Sequence, residues 1–189
     1  MEDFATNAFN KRLMTAYSYD GLEYLPTDDG WITDQANTPD VVQNSDGDIY
    51  LYFKGWIAGG EQDKTSVAIS PDQGQTWYFK HLNVTDLPNN IDPSYPDVIL
   101  LDDGTFRLYF STTNPDGYFG IYYAEGSDGV NFTFKGDVAA PPNTSISNST
   151  TFKVQDEWHM YAMVNDEDGI LWHLLSDNGT YWEITEITS

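Results

Sequence analysis

The sequence predicts an all-β chain arranged as a β-propeller of four-stranded antiparallel blades, and three observations carry that prediction. Short segments rich in β-branched and aromatic residues are separated by Asp-Gly and Asn-Gly turns, the pattern of strands joined by hairpins. No window combines a 3.6-residue apolar period with helix caps. Two motifs alternate along the chain with a period near fifty residues, about the length of one blade. A sandwich of stacked hairpins fits the composition but not this repeated order of motifs.

The first motif runs Pro39-Asp40-Val41-Val42, through Ser45-Asp46-Gly47, into Ile49-Tyr50-Leu51-Tyr52-Phe53. It recurs as Pro96-Asp97-Val98-Ile99, Asp102-Asp103-Gly104 and Phe106-Arg107-Leu108-Tyr109-Phe110. A weaker copy reads Thr151-Phe152-Lys153-Val154, Asp156-Glu157 and Trp158-His159-Met160-Tyr161-Ala162-Met163. The second motif ends in Ser18-Tyr19-Asp20-Gly21, Ser70-Pro71-Asp72-Gln73-Gly74, Ser127-Asp128-Gly129 and Ser176-Asp177-Asn178-Gly179, followed by Tyr24, Trp77, Phe132 and Trp182.

Each unit supplies four strands, A to D. In the first complete unit they are expected at Pro39–Gln43, Ile49–Lys54, Thr65–Ser70 and Trp77–Leu82. Strand B is apolar or aromatic on both faces, which is what a strand between two neighbouring blades requires. The units are expected at about 13–38 (a C–D hairpin alone, around Met14 to Leu25), 39–94, 95–143 and 144–189 of a single propeller. Five blades of about fifty residues need roughly 250, whereas this chain has 189. About three and a half blades are therefore present. A five-bladed ring does not close from them alone: the chain is a fragment, closes differently, or pairs its open edges with another copy.

Composition narrows the partners. Thirty acidic and 8 basic residues give a net charge of −22, while 40% hydrophobic content is too rich for a disordered chain. That charge repels phosphates, so neither nucleic acid nor an anionic membrane is expected as partner. Neutral sugars remain. Cysteine is absent, which excludes disulfides and thiolate chemistry, and no stretch is long and apolar enough to span a membrane as a helix.

Ser70-Pro71-Asp72-Gln73-Gly74-Gln75-Thr76-Trp77 fits the Asp-box pattern of sialidase-type propellers. The Pro-Asp-Val, Asp-Gly and Leu-Tyr-Phe strand pair resembles more specifically the five-bladed propellers of the arabinanase, levansucrase and invertase superfamily, from about Leu13 onward. The resemblance implies a glycoside-hydrolase-like protein that binds carbohydrate and hydrolyses a neutral oligosaccharide; the alternative is a non-catalytic module binding a glycan or a protein. It also implies an extracellular or cell-surface setting, and the acidic surface suits a saline one. The Asp boxes themselves read as turn-closing devices, because their side chains can bond backbone groups across the turn and they recur in every unit.

In such propellers the starts of the A strands and the B-to-C loops line the funnel mouth, and carboxylates of successive blades converge there. Asp40 and Asp97 match these positions and are the catalytic candidates, since glycoside cleavage requires one carboxyl to protonate the leaving oxygen and another to attack or activate water. The alternative is that both are strand-start devices. The substrate-binding candidates are Asp92, Trp56, Tyr118 and Arg107, the two aromatics as platforms for a sugar ring. Thr150 stands where the third A-strand carboxylate would be, so a general acid of the implied kind is missing there. Glu125 is expected on the opposite face. No cofactor is expected; the loop Asn165-Asp166-Glu167-Asp168-Gly169 is the one place calcium would find oxygen ligands, with a solvated acidic turn as the alternative. Sialidase chemistry needs three arginines, and the chain has only Arg12 and Arg107.

Overall fold

The computed structural model describes residues 11–57, 64–88, 93–114, 116–139, 141–164 and 170–188. Its described residues hold strands and no helix. A hairpin of β1 (Arg12–Tyr17) and β2 (Leu25–Asp34) precedes blade I, which comprises β3 (Ala36–Gln43), β4 (Ile49–Gly55), β5 (Lys64–Ser70) and β6 (Tyr78–His81). A short strand, β7 (Asn83–Thr85), leads to blade II: β8 (Ser94–Leu100), β9 (Phe106–Thr113), β10 (Phe119–Gly126) and β11 (Asn131–Ala139). Blade III is β12 (Ile146–Val154), β13 (Glu157–Val164), β14 (Leu171–Ser176) and β15 (Glu183–Thr188). Within each blade the strands follow one another antiparallel, as the hairpin turns require. This is an all-β, incomplete propeller.

Alternation along strand B builds the contacts between blades. Tyr50 and Tyr52 of β4 pack with Val98, Phe106, Leu108 and Phe110 of blade II, whereas Leu51 and Phe53 join Leu13 of the hairpin in a separate cluster. Blades II and III meet through Tyr109, Ile121, Ile146, Trp158, Met160 and Leu174. Fully burying one such side chain contributes about 1.5–3 kcal/mol, so each blade derives much of its stability from its neighbour. The innermost strand β8 touches both β3 and β12, which sets the A strands side by side.

Sequence periodicity misses two features. β7 pairs in parallel with the outer strand β11, placing Asn83, Val84 and Thr85 beside Asn131, Phe132 and Thr133. Every A strand also carries a bulge at its start, between Asn37 and Asp40, Ser94 and Asp97, and Ser147 and Thr150. Thr38, Tyr95 and Asn148 sit there with φ of 47°, 54° and 52°. A bulky residue in this region is unfavourable unless its surroundings impose it, and bulges of this kind re-aim the side chains that follow.

Candidate functional site

Asp40, Asp97 and Thr150 each lie two residues beyond the positive-φ residue of their bulge, and their cross-strand partners are Tyr52, Tyr109 and Tyr161. The three positions are thus equivalent in register. Asp40 reaches the next blade, where the Val98 N–H donates to its Oδ2 at 2.6 Å. Asp97 repeats the move: the Thr151 N–H donates to Oδ1 at 3.2 Å and the Thr151 hydroxyl to Oδ2 at 2.7 Å. Both carboxyls therefore clasp the following blade at the residue after its own equivalent position. Thr150, on the last blade, is exposed.

Their electrostatics are unusual for so acidic a protein. Burial, reinforced by the charge of Asp97, pushes the Asp40 carboxyl up to about 7. Burial also raises Asp97, against the opposing hydrogen bonds from Thr151. Asp97 is only 4% exposed and spends both oxygens on Thr151. Asp40 is half-buried and gives one oxygen to Val98. Asp40 is accordingly the group that can carry a proton near neutral pH, with Asp97 the neighbour that helps hold it there.

The other candidates separate. Trp56 and Tyr118 are half-buried and belong to the B-to-C loops. The first is anchored by its N–H on the Gln35 carbonyl at 3.2 Å, the second by its N–H on Asn114 Oδ1 at 2.9 Å. Since Ala36 at the start of β3 pairs with Gly55 at the end of β4, these loops share the end of the blades at which the A strands begin. Tyr95 belongs to the same end and meets Phe119 edge-on, with ring centres 6.3 Å apart. Sequence reading passed over it, although its place two residues before Asp97 is the available signal.

Arg107 is not with them. It begins β9 opposite Glu125, at the end of the blade that carries the C-to-D turn. There it pairs with Glu125 at 2.8 Å and donates to the Asn178 carbonyl of blade III at 3.0 Å. Its side chain is buried, and a guanidinium with its donors so engaged holds two blades together rather than facing the funnel. Glu125 lies on that opposite end, as expected. Asp92 and the acidic loop Asn165–Gly169 fall outside the described residues, so the calcium expectation meets no geometry here. Among the described residues no three histidine or acidic side chains converge as a metal site.

The turns opposite the funnel are closed by their own side chains. Ser70 donates to Asp72 and accepts the Gly74 N–H at 2.7 Å, while Asp72 accepts the Thr76 N–H and hydroxyl at 2.8 and 2.7 Å. Ser176 and Asn178 do the same for Gly179, Thr180 and Tyr181. Hydrogen bonds hold the Asp20, Asp72 and Asp103 carboxyls below their ordinary range. With their oxygens used inside the turn, these carboxylates serve structure.

No family model matches the sequence, and no curated protein matches it. Among solved structures, Zg3597, a family 117 glycoside hydrolase of the marine bacterium Zobellia galactanivorans, is similar with a TM-score of 0.71 at 19% identity, over 92% of this chain and 54% of that one. The chain has the fold of the five-bladed propeller glycoside hydrolases. An α-L-arabinofuranosidase from Clostridium thermocellum is similar at a TM-score of 0.65 and 14% identity, over 90% of this chain and 59% of that one. A protein of unknown function from Dyadobacter fermentans is similar at 0.71 and 15%, over 95% of this chain and 59% of that one. The chain thus spans a little over half the length of these structures.

Proposed function

We propose that the funnel end binds a neutral oligosaccharide, with Asp40 as the carboxyl that exchanges a proton with it. The observation that carries this reading is a carboxyl lifted to about 7 at an A-strand start, in a fold shared with glycoside hydrolases. A group half protonated near neutrality is matched to general acid–base work. Sugars are uncharged, so the net charge of −22 does not oppose them, and Trp56, Tyr118 and Tyr95 offer half-buried ring faces and edges on which a sugar can pack. In hydrolysis Asp40 would protonate the glycosidic oxygen as the bond to the sugar carbon breaks, and water would supply the new hydroxyl, its other proton restoring the Asp40 acid. Asp97, sealed by Thr151, acts on this step by raising Asp40 and not by touching substrate.

One observation favours a second reading, a glycan-binding module without turnover. Both carboxyls are engaged in clasps between blades, and Thr150 replaces the third.

The test is a panel of neutral oligosaccharides, arabino-oligosaccharides included, assayed for binding by calorimetry and for cleavage by release of reducing ends, on the wild type and on Asp40→Asn. Turnover that falls about 100-fold or more in Asp40→Asn supports the catalytic reading. Binding without cleavage supports the module. Absence of any binding across the panel overturns both, and cleavage unchanged in Asp40→Asn removes Asp40 from the reaction.

A further inference from the structure

The junctions between blades repeat one contact, and its two halves occur once more without each other, one on the first hairpin and one on blade III. The Tyr52 hydroxyl of blade I donates to the Gly129 carbonyl in the C-to-D turn of blade II at 2.9 Å. The Tyr109 hydroxyl of blade II donates to the Gly179 carbonyl in the corresponding turn of blade III at 2.5 Å. Residues two positions earlier close over the same turns: a Cβ on Gly129 would meet the Tyr50 ring at 2.7 Å, and one on Gly179 would meet Arg107 Nη1 at 2.5 Å. A B-strand pair, Tyr50/Tyr52 or Arg107/Tyr109, thus grips the turn of the next blade.

His159 and Tyr161 are the third such pair, since Tyr161 stands opposite Thr150 as Tyr52 and Tyr109 stand opposite Asp40 and Asp97. Tyr161 is 36% exposed, whereas Tyr52 and Tyr109 are fully buried. Around it the face of blade III is flat and aromatic: Phe152, His159, Tyr161 and His173 stand as parallel rings, Tyr161 and His173 with centres 4.7 Å apart. Phe152 and Val154 are exposed on the same sheet. At the other end of the chain, the hairpin turn Ser18–Glu23 is built like the turns already gripped: Ser18 accepts the Gly21 N–H at 2.8 Å, and Asp20 accepts the N–H groups of Leu22 and Glu23 at 2.8 and 3.0 Å. Yet among the described residues nothing lies within 4 Å of where a Cβ on Gly21 would stand.

We propose that the His159/Tyr161 face of blade III docks the Ser18–Glu23 turn of a second copy of this chain, reproducing between molecules the junction that occurs twice within one. The repeat supports this occupant: the Ser18–Glu23 turn is closed by the same kind of side-chain contacts as the Ser176–Tyr181 turn that Tyr109 already grips. The contact joins two different surfaces, so it propagates head to tail, either closing into a ring or extending as a filament. The remaining surface of each copy is strongly acidic, so salt that screens the repulsion strengthens the association.

The experiment is sedimentation velocity on the 189-residue chain and two variants, from about 1 to 100 μM, in 0.15 M and 1 M NaCl. Tyr161→Glu places a charge on the docking face without disturbing a buried group. Gly21→Asn keeps a residue that tolerates positive φ but fills the open space. The expected result is a concentration-dependent oligomer for the wild type, a monomer for each variant, and a one-to-one dimer when the two variants are mixed, because each retains one intact half. Far-ultraviolet dichroism and melting temperatures matching the wild type at low concentration establish that the variants are folded. A wild type that remains monomeric overturns the proposal. So does a Gly21→Asn variant that still self-associates, which would mean that blade III faces pair with one another, and so does a mixture that does not form the dimer.

Discussion

The two ends of the blades treat the same residue type in opposite ways. At the turn end, Asp20, Asp72 and Asp103 are surrounded by backbone and hydroxyl donors and are held in their charged form. At the funnel end, Asp40 and Asp97 are withdrawn from water, beside each other, and pushed toward the protonated form. Thirty acidic residues therefore say little about chemistry until their surroundings are known. What separates a carboxylate held charged from one pushed toward its protonated form is the balance between donors and desolvation.

The largest expected effect tests the funnel end directly. Asp40 binds its proton more tightly in the folded protein, at about 7 against an ordinary 3.8. Its contribution is therefore fully present below about pH 4 and is lost as pH rises through 7, up to about 4 kcal/mol over that window. Urea unfolding of wild type and Asp40→Asn at pH 5 and pH 8 should show the wild type losing stability relative to the variant at the higher pH. A difference that does not change with pH would place Asp40 among the ordinary carboxylates.

Next come the gripped and ungripped turns. Gly179→Ala introduces a Cβ against Arg107 Nη1 at a φ of 72°, and should cost about 3 kcal/mol by denaturant unfolding. Gly21→Ala, at a φ of 76° but with open space, should cost only the backbone strain of about 1 kcal/mol. Equal costs would mean that the tyrosine and arginine clasp adds nothing to the junction. Replacing Arg107 by Met should fall between the two, at about 2 kcal/mol, by leaving the Asn178 carbonyl without its donor and Glu125 without its partner.

The smallest effect lies at the turn end. Asp72→Ala removes the acceptor of the Thr76 N–H and hydroxyl in an exposed turn, and should lower the melting temperature slightly at pH 7. Because the Asp72 carboxyl is held below its ordinary range, that difference should vanish as pH falls through the folded value, the reverse of the Asp40 trend. A difference that grows at low pH would invert the assignment of this carboxylate.

How much of this was legible in the sequence depended on whether the signal was local. The strands of blade I follow from alternating aromatic and apolar residues between Asp-Gly turns, and β4 and β5 begin within a residue of the expected positions. The equivalence of Asp40, Asp97 and Thr150 follows from the repeat and holds in the register. The bulges do not follow, because Thr38 and Tyr95 are poor residues for positive φ and only the packed axis imposes it on them. The repeat motif sets Arg107 among the substrate-binding candidates, whereas its partners Glu125 and Asn178 lie on another strand and another blade. Likewise, nothing in the spacing of His159 and His173 announces that their rings meet with nitrogens 3.0 Å apart across β13 and β14.

The proposed sugar-binding function requires that Asp40 carry a proton near neutral pH. Following its side-chain carboxyl carbon by NMR through a pH titration, with and without a bound neutral oligosaccharide, tests that claim in one measurement. The expected midpoint is about 7, displaced when sugar occupies the funnel. A midpoint near the ordinary 3.8 that sugar leaves unmoved would contradict it.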